Sequence, residues 1–416
     1  MYCLGIECTA HTFGVGIVRK DGKILSNEKV VYKNPLGGIH PREASELHLK
    51  EFKNVLLRSL DRAGFIILNK KFFDLLSFLN KAIEGKEIVF EEPFNRKRIL
   101  EVDGIKIWVE NQNIIVGEKK NKEEIKVFDK KITIYYGNSE LKNKIKDLLL
   151  QLTEDEIKKY KIDLISVSKG PGLYPTLSLG IFIAKLLSKI FSTDIIGVNH
   201  PIAHIEIAKL VTGFKDPVVL YVSGANTQVI AYEGKRYRVF GETLDMGVGN
   251  FLDSVGREMG IGFPAGPKIE ELARKGKEII DLPYTVKGMD IQLSGLYTYI
   301  KNIVKTKKYK IEDICYSIQE TVFAMLTEIT ERAVAHLNKK EVVLTGGVAA
   351  NKRLQEMVRT MCEERGIKFG VPPLDLALDN GAMIAWTGLL WYSKGYKDKF
   401  EELVPDPYWR VDEIEI

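Results

Sequence analysis

Cysteine is scarce in this chain. Four residues in 416, Cys3, Cys8, Cys315 and Cys362, form no CxxC pair. They make no disulfide framework for a chain of this length and suit a reducing compartment. No stretch approaches 18 uncharged apolar residues, so no membrane span is expected. The opening MYCLGIECTA has no basic segment followed by an apolar run and a small-residue cleavage site, so no signal peptide is expected and a cytoplasmic location is. Neither GxGxxG nor GxxxxGK[ST] occurs, which leaves the two commonest nucleotide loops without a sequence to build them. Nor does one sign of charge dominate. The 61 Lys and Arg against 56 Asp and Glu give a net charge of +5 and a pI of about 8.7. That balance permits an anionic partner such as RNA without demanding one.

What is present is ordinary globular usage, 45% hydrophobic and 28% charged, which excludes wholesale disorder and a collagen-like fibre. The length allows two to four globular units. The first forty residues read as strands, with an Asp21-Gly22 turn between two β-rich runs. A helix is expected from Pro41 to about Gly64, carrying Leu47, Phe52, Leu56, Leu57 and Leu60. IDLISVSKGPG is a buried strand entering a Gly-Pro turn, and LSLGIFIAKLLSKIF a helix after it. PVVLYVSGANTQVIAYEGKRYRVFGE repeats the opening theme of strand, glycine turn, strand, polar turn and strand. VVLTGGVAANKRLQEMVRTMCEERG is strand, glycine turn and helix. The alternation gives an α/β protein, and the repeated opening suggests two related lobes. From about Phe65 to Gln151 the rhythm breaks. Short strands lie between two helical pieces, FFDLLSFLNKAIEG and SELKNKIKDLLLQL, and about eighty-five residues suffice for a small inserted α+β domain. The expected division is therefore 1–64 and 152–213 for an N-terminal lobe, 65–151 for the insert, and 214–416 for a C-terminal lobe whose final helix and tail return to the N-terminal one.

Three features carry chemistry. His200 and His204, in NHPIAH, stand at i and i+4 on one helix face, close enough to share a metal; two surface histidines would look the same. A zinc protease needs Glu directly after the first histidine as general base, and Pro201 stands there instead. Asp379, in LALDNGAMIAW, is either a helix N-cap or a hard ligand that completes a site begun by the histidines. Glycine turns follow several strands: Gly170-Pro171-Gly172, Ser223-Gly224-Ala225, Gly247-Val248-Gly249, Ala265-Gly266-Pro267 and Gly346-Gly347-Val348. Backbone N–H groups in such turns cradle phosphate, although each alone is more often a plain turn. Their combination resembles the actin-like ATPase and sugar-kinase superfamily.

The segments GGIHPREASELH, VSKGPGLYP, VNHPIAHIEIA, LYVSGANTQVIAY, RVFGETLDMGVGNFLD, GPKIEELA, LPYTVKGMD, LTGGVAANKRL and LDNGAMIAWTGLL together resemble the universal tRNA threonylcarbamoyl transferase family, in its archaeal and eukaryotic KEOPS-subunit form. The resemblance covers about residues 1–64 and 155–416. It implies a two-lobed actin-like fold. It also implies transfer of a threonylcarbamoyl group from threonylcarbamoyl-adenylate to N6 of the adenosine beside the anticodon, in tRNAs reading codons that begin with A. It implies one divalent metal on His200, His204, Tyr221 and Asp379, and a nitrogen and oxygen donor set of that kind fits iron or zinc better than magnesium. It implies ATP or an adenylate held by Tyr221, Val222, Ser223, Gly224, Ala225, Asp253, Gly266, Glu270 and Asn351. The implied partners are tRNA and three KEOPS subunits: a small atypical kinase/ATPase, a dimerising subunit and a further small subunit.

The sequence departs from the family pattern at several positions. Ala225 stands where a second glycine is usual, and Ser178 where a basic residue or histidine is. Ser254 replaces a lysine, Ala265 a glycine and Ala377 a cysteine. Leu47-His48 replaces paired histidines. These leave two other readings in view: a non-catalytic structural subunit, and a small-molecule kinase of the same superfamily. The second of these gives the histidine pair no role.

Overall fold

The chain is described by a computed structural model at residues 1–34, 38–64, 100–102, 105–110, 113–116, 120–127, 130–136, 143 and 162–414. Strands β1 (Tyr2–Glu7), β2 (Thr12–Arg19) and β3 (Ile24–Val31) form the expected meander. Asp21-Gly22 turns the second into the third, with Gly22 at φ 86°, where glycine carries no steric penalty. The register pairs Leu4 with Ile17, Gly5 with Gly16 and Ile6 with Val15. Alternation then sorts the two faces. Leu4, Ile6, Phe13, Val15 and Ile17 enter a core with Leu49, Phe52 and Leu56 of the helix Pro41–Arg62. On the other face Gly5 and Gly16 lie under the helix Gly381–Ser393. A Cβ on Gly16 would stand 2.2 Å from the Ala382 nitrogen, so these glycines let that helix rest directly on the sheet.

Insert strands β4 (Leu100–Val102), β5 (Ile105–Glu110), β6 (Asn113–Val116), β7 (Asn121–Val127) and β8 (Lys130–Tyr136) make a separate sheet, ordered β4-β5-β6-β8-β7. Its expected flanking helices lie outside the described residues, apart from residue 143. After the insert, β9 (Leu164–Gly170) and β10 (Asp194–Asn199) join β1 in parallel, giving the order β3-β2-β1-β9-β10. Their connection is the helix Tyr174–Phe191. By length and composition it could cross a membrane, with a mean hydropathy of 1.3, but 67% of it is buried inside the protein.

The second sheet repeats the first. Strands β11 (Val218–Val222), β12 (Thr227–Glu233) and β13 (Arg236–Glu242) form a meander. The two-residue strands β14 (Val286–Lys287) and β15 (Asp290–Ile291) stand apart as a hairpin. Then β16 (Glu341–Thr345) and β17 (Lys368–Gly370) add in parallel, in the order β13-β12-β11-β16-β17. Two sheets with one order and one sequence of strand directions are the duplicated α/β architecture of the actin-like ATPase fold.

Two compact units result. One holds Met1–Tyr32, Ile39–His200 and Asn380–Trp409, and the other Lys33–Gly38, Pro201–Asp379 and Arg410–Ile416. The sequence boundary at 213/214 and the boundary between the units at 200/201 differ by the helix His200–Thr212.

Candidate metal centre and adenylate loops

β10 runs straight into the helix His200–Thr212, so His200 and His204 stand one turn apart on it. Both are buried, at 6% and 0% exposure, where surface histidines would be wet. The Nε2 of His204 lies 3.2 Å from Oδ1 of Asp379. One ligand atom from each of His200, His204 and Asp379 falls within 4.8 Å of the other two. Ligands held at about 2.1 Å around a tetrahedral ion stand about 3.4 Å apart, so the His204–Asp379 spacing suits a shared ion.

Asp379 does not cap the following helix, because its neighbour does. Asn380 caps the helix Gly381–Ser393, its Oδ1 accepting from the Met383 N–H at 2.9 Å. The N-cap reading of Asp379 is thereby corrected by one position. Tyr221 is buried on β11, its ring 5.1 Å from the His204 ring centre to centre.

Glu7, at the end of β1, is a member that the motifs did not reveal. It is wholly buried. Its Oε2 lies 3.0 Å from Nδ1 of His200, and its Oε1 accepts from both the N–H and the hydroxyl of Thr9. A carboxylate on one imidazole nitrogen fixes the tautomer and leaves the other nitrogen for a metal. The signal was in the sequence: a carboxylate closing an otherwise apolar strand is buried only when it is paired.

The glycine loop stands beside these residues in the chain. Ser223-Gly224-Ala225-Asn226 is closed by Ser223 N–H to Asn226 O at 2.8 Å. The helix Val248–Glu258 docks its N-terminus on this loop, through Gly249 N–H to Ser223 O at 3.1 Å and Asn250 N–H to Gly224 O at 2.8 Å. A Cβ on Gly247 would sit 2.4 Å from the Ala225 carbonyl carbon, so the approach requires glycine there. Asp253, one turn further along, accepts from the Ala265 N–H at 2.7 Å and so ties down the helix Ala265–Ala273, in whose first turn Gly266 lies.

Glu270 of that helix accepts from the Lys352 N–H at 3.1 Å and pairs with Arg274 at 2.8 Å. Asn351 is itself an N-cap. Its Oδ1 accepts from the Arg353 and Leu354 N–H groups, and its Nδ2 donates to Gln319 at 2.7 Å. Every polar group of Asn351 that the sequence assigned to the nucleotide therefore has a structural partner as well. A cavity of about 620 Å³ opens next to it, lined among others by Ala349, Lys352, Gln355, Arg359 and Leu374.

The cysteines offer no nucleophile. All four are buried. Burial pushes the thiols of Cys3 and Cys8 well above the ordinary range and those of Cys315 and Cys362 up to about 12. Cys8 Sγ touches Nδ1 of His48 at 3.4 Å, and burial lowers that imidazole to about 4.

A "tRNA N6-adenosine threonylcarbamoyltransferase" of Thermococcus sibiricus is 44% identical over 416 residues, 100% of this chain and 99% of that one. A "probable bifunctional tRNA threonylcarbamoyladenosine biosynthesis protein" of Methanocaldococcus jannaschii is 42% identical over 416 residues, 100% of this chain and 60% of that one. Among solved structures, T. kodakarensis HypF gives a TM-score of 0.47 at 16% identity, covering 74% of this chain and 53% of that one. The profile of the tRNA N6-adenosine threonylcarbamoyltransferase family matches residues 140–386, and the chain belongs to that family.

Proposed function

We propose that this protein transfers the threonylcarbamoyl group from threonylcarbamoyl-adenylate to N6 of the adenosine adjacent to the anticodon, in tRNAs that read codons beginning with A. The observation that carries the reading is the His200–His204–Asp379 trio, its two histidines buried, in a chain whose relatives bear that enzyme's name. The reaction forms a bond from the N6 nitrogen to the carbamoyl carbon. It breaks the bond from that carbon to the adenylate oxygen, AMP leaves with the electron pair, and N6 gives up a proton.

His200, His204, Asp379 and the phenol of Tyr221 are the proposed holders of one divalent metal, iron or zinc by donor type. Such an ion supplies a Lewis acid and a template for the acyl group. Glu7 holds the His200 ring by its Nδ1. The Gly224 and Ala225 N–H groups of the Ser223–Ala225 turn are the proposed grip on the adenylate phosphate, since the N–H groups of Ser223, Val248 and Gly249 are bonded within the protein. Asp253 and Glu270 are the proposed partners of the ribose hydroxyls. Asn351 and Gly266 complete the proposed adenylate contacts.

The Methanocaldococcus relative is longer and is named as bifunctional, which supports a working assembly with a second activity. The proposed partners are tRNA and the KEOPS subunits: a small atypical kinase/ATPase, a dimerising subunit and a further small one. The proposed place of work is the cytoplasm, where tRNA is. The test is reconstitution with those partners, an unmodified tRNA, threonine, bicarbonate and ATP. Threonylcarbamoyladenosine in the nucleoside digest, detected by mass spectrometry, is the expected result. Its absence from a reaction in which the adenylate does form overturns the reading.

A further inference from the structure

One stretch of the second unit concentrates cationic charge. Residues 274–310 hold nine Lys or Arg against three acidic side chains, an excess of six in a chain whose total is +5. The fold gathers its two ends. A Cβ on Gly276 would meet the Tyr316 Cβ at 2.5 Å and the Glu312 carbonyl at 2.6 Å. The Lys277 and Glu278 N–H groups both donate to Asp313, at 2.8 and 3.1 Å. The loop 274–277 therefore lies against the start of the helix Ile311–Leu337, next to Lys307, Lys308 and Lys310.

Three of these cations are neutralised: Arg274 by Glu270, Lys275 by Glu271 and Lys301 by Glu258. Lys277, Lys305, Lys307, Lys308 and Lys310 are exposed and make no salt bridge among the described residues.

Two of the five occupy positions where helix physics favours something else. Lys307 ends the helix Ser294–Thr306 at φ 53°, the left-handed place that glycine or asparagine fills at least cost. Lys310 is the N-cap of the helix Ile311–Leu337 and makes no capping bond, where Ser, Thr, Asp or Asn would make one. Capping preference accounts for neither lysine, although Lys310 is offset by Asp313 in the first turn of its helix, and residues that break local rules mark function.

We propose that Lys277, Lys305, Lys307, Lys308 and Lys310 form a docking surface for the phosphate backbone of tRNA. The assignment of tRNA as occupant rests on the proposed function. The chemistry fits: five exposed ammonium groups that make no salt bridge among the described residues, one of them (Lys308) over the Tyr309 ring at 5.1 Å, offer point charges without a planar, bidentate fork and so read charge and not sequence. The surface also adjoins the proposed adenylate loops in the second unit. Lys301 holds Glu258 at 2.9 Å, at the far end of the helix that carries Asp253, five residues or about 7.5 Å back along the axis.

The test is the full-length chain binding an unmodified tRNA transcript, followed by fluorescence anisotropy from about 50 to 200 mM salt. A variant carrying Lys305→Gln, Lys307→Gly, Lys308→Gln and Lys310→Ser should bind at least about tenfold more weakly. Its log–log salt slope should be shallower by about 3, the four contacts it loses. Its melting temperature should be equal or higher, since glycine and serine suit those two helix ends better. The matching four-arginine variant keeps the charge and should bind as the wild type does. An unchanged affinity and slope in the neutral variant overturns the proposal, as does an arginine variant that binds no better than the neutral one, or a wild type with no affinity at the lowest salt. Nucleoside analysis separates this from the catalytic reading. Binding through this face without product breaks that reading alone, and product with unaltered binding in the neutral variant breaks this one alone.

Discussion

Replacing Glu7 by glutamine tests the metal site through a residue that would not touch the ion. The wild-type carboxylate offers acceptors in two directions. Oε1 takes the Thr9 N–H at 2.8 Å, and Oε2 faces Nδ1 of His200 at 3.0 Å. An amide cannot do both. If its oxygen stays on Thr9, its NH₂ faces His200 Nδ1, which must then accept. The ring proton moves to Nε2, the nitrogen that a metal needs. If the amide turns over, the buried Thr9 N–H loses its acceptor at a cost of about 1–3 kcal/mol. Either way the site is set wrongly. Loss of such an outer partner typically weakens metal binding about 10- to 100-fold, or about 1.4 to 2.7 kcal/mol. The assay is calorimetric titration of the metal-free protein with Zn²⁺ and with Fe²⁺ under anaerobic conditions, against a competing chelator, with circular dichroism to verify the fold. Glu7→Gln binding either ion as tightly as wild type, in a folded protein, refutes the reasoning.

His204→Ala should remove stoichiometric metal and transfer activity together, leaving the circular dichroism spectrum intact; full metal content by elemental analysis contradicts the ligand assignment. Ala225→Gly should leave adenylate affinity within about twofold of wild type, because Ala225 is exposed and is not among the left-handed residues, so its Cβ costs the loop nothing; a marked tightening by calorimetry refutes this. His48 is held neutral by burial, at about 4 against an unfolded value near 6.5, so the unfolded chain binds the extra proton between those values. Stability is then full above about 6.5 and falls by about 3 kcal/mol as pH drops to 4. In urea titrations at pH 7 and 4.5, His48→Leu should lose most of that acid dependence, and an unchanged difference between the two pH values contradicts it.

The strands were legible because alternation and glycine turns are local signals, and β1–β3 and β11–β13 stand where the sequence places them. The long helix Ile311–Leu337 was not singled out. Its buried residues include Ile314, Cys315, Ile318, Val322, Phe323, Met325 and Leu326, which surround much of its circumference and blur the 3.6-residue stripe. The histidine pair was legible as a pair, since i, i+4 spacing is a property of one helix. Whether Asp379 capped a helix or served a site was not, because Asp379 and Asn380 are both good caps and only the fold distributes the two tasks. Glu7 was illegible as a partner of His200 because 193 residues separate them. Asn351 carried a functional expectation on its motif, yet its position before the helix Lys352–Glu364 also makes it a cap.

The departures from the family pattern bear on whether the chain is active, and the structure accommodates those it can be asked about. Ala265 adds a methyl group where glycine is usual, and the space is opposite Gly256: a Cβ there would meet the Ala265 Cβ at 2.3 Å, so Gly256 makes the room. The Ala265 N–H still reaches Asp253 at 2.7 Å, so the substitution leaves the contact that places Gly266 intact. Ser178 is buried inside the helix Tyr174–Phe191, and Ala377 is buried at the wall of the second unit's cavity. Leu47 takes the place of one of the usual paired histidines, and the remaining His48 is a neutral core residue against Cys8. None of these changes removes a proposed ligand or its immediate support. A structural subunit released from catalysis would have no reason to keep Glu7 wholly buried against His200, since replacing such a buried polar pair by hydrophobic residues of similar volume is commonly neutral or stabilising. A small-molecule kinase would have no use for either histidine. The retained cost of Glu7, together with the trio it supports, favours a working metal centre over both alternatives.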